Sequence, residues 1–276
     1  MVCYNTSDAY AEWCGGLYER LYRGFHAFWK NNGFELQPPE FPLIALLFTD
    51  HASYLRYAHE ELGQQVGARF GYYNVQTNRV TSYDLTGIDE LRKGQRQGST
   101  ASHIQQILAQ PAAERTVATV VHEATHQLAY NSGLQIRYAD NPVWVSEGIA
   151  AFFETPDFSS AKGWRSIGSV NPVHMTNFRQ LAGSRPPDAL RTLLTEDLQF
   201  RDPETSTMAY CTAWALNYYL LRARRAEYVA YLRELANGQP LAERTAEERV
   251  AHFERIFGTD LRTLDEKFVR YMSKVR

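Results

Sequence analysis

Val117-Ala118-Thr119-Val120-Val121-His122-Glu123-Ala124-Thr125-His126-Gln127-Leu128 is the stretch that governs how the rest of this chain is read. On a helix advancing about 100° per residue, Val117, Val120, Val121, Ala124 and Leu128 gather on one side. His122 falls about 140° and His126 about 180° from Val117, with Glu123 flanking them. One face is therefore apolar and packs on a core, while the other presents two imidazoles and a carboxylate. Residues 122–126 fit the pattern H-E-x-x-H. Histidines four apart share a helix face and can grip one metal ion, and the intervening glutamate is placed to hold a water. The competing reading is an ordinary amphipathic helix whose polar face happens to carry these residues.

A third ligand separates the two readings, because catalytic zinc takes three protein ligands and keeps one position open. The next predicted helix offers one. Asn141 suits its N-cap and Pro142 its first turn, followed by Val143-Trp144-Val145-Ser146-Glu147-Gly148-Ile149-Ala150-Ala151-Phe152-Phe153-Glu154. This run is apolar nearly all round, so the helix is buried, and an ionised Glu147 there is costly without a positive partner. A zinc ion supplies one; an arginine salt bridge is the alternative. Gly148, Ala150 and Ala151 are small enough for a close approach to the H-E-x-x-H helix. Glu154, two turns on, is placed either to hydrogen-bond a ligand histidine or to end the helix in solvent.

Composition narrows the function classes. The chain has 276 residues, and its 29 basic and 31 acidic side chains leave a net charge of −2. That balance gives no field for nucleic acid or for an anionic membrane. Its longest apolar run, Phe41 to Phe48, is strand-sized and far short of the roughly 20 residues of a membrane span. The residues after Met1 do not read as a signal peptide. Cys3, Cys14 and Cys211 form no C-x-x-C pair, so a thiolate zinc site is not expected. Cys3 and Cys14 can bridge in an oxidising compartment; free buried thiols are the simpler reading.

The periodicity predicts an α+β, mainly helical protein. Helices are expected over 10–30, with Trp13, Leu17, Leu21, Phe25 and Phe28 on one face, and over 53–62. A strand buried on both faces is expected over 42–49, and a hairpin pairing 70–75 with 79–83. Residues 91–103 read as a polar loop, and 158–171 as a loop or small hairpin. Further helices are expected over 142–154, 188–195, 205–225, 227–236, 246–257 and 261–275. The organisation is a single domain over 1–276. Its N-terminal lobe, about 1–133, holds a small sheet and the H-E-x-x-H helix; its helical C-terminal lobe covers about 134–276.

HEATH followed by W-V-S-E-G-I-A-A-F-F-E resembles the gluzincin group of zinc metallopeptidases, in which H-E-x-x-H is joined by a glutamate from the following helix. Within that group the chain looks most like poorly characterised bacterial peptidase-MA-like proteins. Those pair the core with a Y-x-x-A-W-A-L helix, read here as Tyr210-Cys211-Thr212-Ala213-Trp214-Ala215-Leu216. The resemblance runs from about Leu43 to the C-terminal helices. It implies a zincin-like catalytic domain, Zn²⁺ bound by His122, His126 and Glu147, and Glu123 as general base. It also implies a peptide or protein substrate and an extracytoplasmic setting. Ala129 and Ser132 stand where metzincins need glycine and a third histidine, which excludes that subclass. The G-A-M-E-N motif of gluzincin aminopeptidases is absent, which favours an endopeptidase.

Two residues offer an oxyanion donor: Tyr210, at the start of its helix, and His174, in the loop-like stretch Asn171 to Met175. Aromatic core packing is the plainer role for Tyr210. Strand 79–83 is expected to supply an edge for an extended peptide. The other function classes are a catalytically silent zinc-binding scaffold, a helical interaction module without metal, and a zinc hydrolase of non-peptide amides.

Overall fold

A computed structural model describes residues 1–63, 70–88, 100–155 and 167–276. Among them the chain forms eleven α-helices and a four-stranded N-terminal sheet, an α+β protein that is mainly helical. Two compact units divide it.

The first unit comprises the described residues of Met1–Ala27, Pro38–Ala129 and Pro156–Ile167. Its elements are β1 (Val2–Tyr4), α1 (Asp8–Asn31, as far as Ala27), β2 (Ile44–Phe48), α2 (His51–Leu62), β3 (Gly71–Asn74), β4 (Arg79–Tyr83), α3 (Ala101–Leu108) and α4 (Pro111–Asn131, as far as Ala129). The sheet order is β1-β2-β4-β3. β1 and β4 flank β2 in parallel, with Val2 opposite Ala45 and Ile44 opposite Arg79, and β3 runs antiparallel to β4. β4 is therefore an inner strand, which overturns the expectation that 79–83 forms an edge; among the described residues β1 and β3 are the edges. β1 has three residues, too short for periodicity to reveal. β2 alternates buried and half-buried positions rather than being buried on both faces. Its Ala45 and Leu47 point into the core, while Phe48 packs on Tyr57 at 5.2 Å.

Helix α1 buries Tyr10, Cys14, Leu17, Leu21, Phe25 and Trp29, a stripe set slightly off the predicted one; Trp13 and Phe28 are half-buried. The Tyr10 hydroxyl, donating to the Tyr83 carbonyl and accepting from the Leu85 amide, fixes α1 to the end of β4. Residues 91–99 of the expected loop lie outside the described residues. Its end is helical instead: Thr100 caps α3 by accepting from the His103 amide, and Ile104, Ile107 and Leu108 are buried. The 158–171 expectation lies mostly outside too, with a turn at Gly168 preceding Asn171.

The second unit comprises Phe28–Gln37, Tyr130–Thr155 and Gly168–Arg276. It holds α5 (Val143–Phe153), α6 (Pro172–Leu181), α7 (Ala189–Thr195), α8 (Ser206–Ala223), α9 (Arg225–Leu235), α10 (Ala246–Phe257) and α11 (Leu261–Met272). Helix α6 begins within the stretch Asn171 to Met175 that is expected to be loop-like: Asn171 accepts from the Val173 and His174 amides and Pro172 occupies the first turn. Around Trp144 of α5, Tyr228, Tyr231 and Phe253 pack at 6.0–6.3 Å. Burying side chains of this size contributes about 1.5–3 kcal/mol each. No described helix is long and apolar enough to cross a membrane.

Candidate metal centre

His122 and His126 are 8% and 9% exposed. Their helix is closed in on both faces: Thr116, Thr125 and Gln127 are buried along with Val117, Val121 and Leu128. The polar face is thus not a wet one, and its polar groups need partners within the protein. The two imidazole Nε2 atoms stand 3.1 Å apart, with ring planes at 78°. Ligand atoms of His122, His126 and Glu147 all lie within 4.8 Å of one another. The chain therefore holds a potential metal-binding group of two imidazoles and a carboxylate.

This donor set fits a divalent cation. Two nitrogens bonded to zinc at about 2.0–2.1 Å with tetrahedral angles are separated by about 3.3 Å, close to the observed edge. Two neutral imidazoles can also share one N–H at this distance. Glu147 adds a carboxylate oxygen to the pair, which completes the two-nitrogen, one-oxygen donor set of a divalent cation site.

Glu123 is half-buried, and its Oε2 accepts from the backbone N–H of Tyr73 at 2.8 Å. Tyr73 lies on the edge strand β3. Its ring stacks on His126 at 6.5 Å and its hydroxyl donates to Asn78 Oδ1 at 2.9 Å. Gln127, one residue past the second histidine, donates to the carbonyls of Ile44 and Asn78 at 3.0 and 2.8 Å. The β3–β4 hairpin thereby sets the rotation of α4 and the orientation of its carboxylate. Sequence reasoning missed Tyr73 because its main contribution is a backbone amide, which every residue but proline possesses.

Glu147 is half-buried on α5. Gln135 donates to Ser146 Oγ at 2.7 Å. Burial raises the Tyr130 pKa, and the charge of Glu147 raises it further, so the phenol keeps its proton. The expected Asn141 cap is not formed: its amide donates to the Ile136 and Ala139 carbonyls, and Pro142 takes the N-cap position without a side-chain bond.

The bare side of Gly148 meets α8. A Cβ there would lie 1.8 Å from Asn217 Nδ2 and 2.6 Å from the Ala213 carbonyl. Asn217, fully buried, donates to the carbonyls of Trp144 and Ala213 at 3.2 and 2.9 Å and accepts from the Tyr228 hydroxyl.

The remaining candidates lie as follows. Glu154 accepts from Asn171 at 3.2 Å and stands 3.3 Å from His174 Nε2. His174 stacks on Trp214 at 6.0 Å. Tyr210 is half-buried at the start of α8, its ring edge-on to Phe200 at 5.3 Å. All three cysteines are free; Cys14 and Cys211 are buried and Cys3 is exposed.

Residues 116–242 are similar to a family described as a protein of unknown function (DUF1570). The matched stretch contains His122, Glu123, His126, Glu147 and Tyr210. No curated protein matches the chain.

Proposed function

We propose that this protein is a zinc-dependent metallopeptidase, an endopeptidase hydrolysing peptide bonds with His122, His126 and Glu147 as the metal ligands. The observation that carries this reading is the convergence of that trio around an H-E-x-x-H helix. Three protein ligands on two helices, with no cysteine among them, match the open sites of zinc hydrolases rather than closed structural sites. Zinc held there would bring the pKa of a coordinated water to near 7 and polarise the scissile carbonyl.

The chain's own groups manage the proton. Tyr73 N–H holds Oε2 of Glu123. Oε1 is then the atom that accepts a proton from the attacking water and passes it to the leaving amine. Tyr210 is the proposed donor to the developing oxyanion. His174 is set aside for that role because Glu154 engages its Nε2.

The test is hydrolysis of a broad peptide library by the purified protein, with and without a chelator, alongside metal analysis. Cleavage abolished by chelation and restored by zinc is expected, with about one zinc per chain. Zinc bound without turnover would make the protein a silent scaffold, and absence of bound metal would remove the reading altogether.

A further inference from the structure

The helix that carries Glu147 begins without a cap of its own. Pro142 occupies the N-cap position and has no side-chain acceptor. The amides of Val145 and Ser146 reach the Pro142 carbonyl, at 2.9 and 3.5 Å. The Val143 amide instead donates to Asp197 Oδ1 at 3.1 Å, from a residue 54 positions away at the start of the 3₁₀ turn Asp197–Phe200. Asp197 is itself held. Arg249 of α10 donates to its other oxygen at 2.8 Å and grips Asp140 through Nη2 and Nε. Arg244 adds backbone and side-chain bonds to Asp140. The side chains of Asp140 and Arg249 are 6% and 12% exposed.

We propose that Asp197, anchored by Arg249, is a positioning residue for the metal site: it caps α5 and thereby sets where Glu147 sits. The inference rests on the metal reading above. A negative group at a helix N-terminus satisfies orphan amides and is favoured by the helix dipole. Val143 and Glu147 are four residues apart, so they stack one above the other on the same face. Fraying of the first turn therefore displaces the ligand directly. Val143, Trp144 and Val145 carry no side-chain acceptor, so none of them can replace the missing cap.

Zinc affinity is measured by competition with a chromogenic chelator, using Zn²⁺ alone, for the parent, Asp197→Ala and Asp197→Asn. Asp197→Ala is expected to bind zinc at least tenfold more weakly. Asp197→Asn, whose side-chain oxygen still accepts from Val143, is expected to stay within about threefold of the parent. A role in stability alone would lower the unfolding temperature of metal-free Asp197→Ala and leave its zinc constant unmoved, which overturns the proposal. Equal weakening in both variants also overturns it, since the hydrogen bond to Val143, which Asn retains, would then not be what places Glu147. Hydrogen exchange on the parent keeps the test open where Asp197→Ala does not fold. A protected Val143 amide is expected, and one exchanging as freely as an exposed amide refutes the cap. If the parent takes up no zinc, the metal reading fails, and the exchange result still judges the cap.

Discussion

Replacing Gly148 with alanine sets helix propensity against packing, with opposite predicted signs. Propensity alone makes Gly→Ala inside a helix stabilising by up to about 1 kcal/mol. The structure reverses this at Gly148, because the new methyl would sit 1.8 Å from Asn217 Nδ2 and 2.7 Å from its Cγ. Asn217 is fully buried and has to move. Moving it breaks the bonds to Trp144 and Ala213 and leaves the buried Tyr228 hydroxyl without its acceptor. Each buried polar group left unsatisfied costs about 1–3 kcal/mol. Two groups so stranded, the Asn217 amide and the Tyr228 hydroxyl, less the propensity gain, leave a net loss of about 3 kcal/mol. At about 2–4 °C per kcal/mol, calorimetry should record a fall of about 6–12 °C. Gly16→Ala is the control. Its Cβ meets nothing closer than Arg20 Nη1 at 3.6 Å, an ordinary contact, so that variant should be neutral or slightly more stable. A Gly148→Ala protein as stable as the parent would refute the close-approach argument.

Three further outcomes are expected. Glu123→Gln keeps an oxygen that can accept from the Tyr73 amide, so it should retain zinc while hydrolysis falls by about 10²–10⁴; unchanged turnover would remove the general-base role. Glu147→Ala should lose at least about 100-fold in zinc affinity by equilibrium dialysis, and parent-like retention would require another third ligand. Thiol labelling should separate the cysteines: burial pushes the Cys211 thiol up to about 11 and that of Cys14 higher still. Because only the thiolate reacts, about one Cys211 in 10³ is ionised at pH 8, and this fraction rises tenfold per pH unit up to 11. The native protein should therefore show one fast thiol, Cys3, at pH 8, and all three after denaturation. Rapid labelling of three in the native state would contradict the burial.

What was legible in the sequence follows how local its cause was. The helix at 246–257 was read to the residue because both of its ends are written nearby. Thr245 and Glu248 form a reciprocal capping box, and Gly258 closes the far end in a left-handed conformation. The histidine pair was legible for the same reason, being a matter of four-residue spacing on one helix. Glu147 was legible from chemistry, as a carboxylate in an apolar run. Long-range causes were not. The cap of α5 comes from Asp197, so a local rule chose Asn141 wrongly. Helix α6 buries only Met175 and Phe178, too few apolar positions to announce a period, although Asn171-Pro172 was a readable start signal. The β4 assignment failed at the level of strand order, which pairing alone decides.

His122, His126 and Glu147 are proposed to hold one divalent cation together. Anomalous diffraction at the zinc edge from crystals of the zinc-loaded protein tests it most directly. One ion per chain is expected, bonded to the Nε2 atoms of both histidines and to the carboxylate of Glu147. An ion bound without Glu147, or no ion between the two imidazoles, would contradict it.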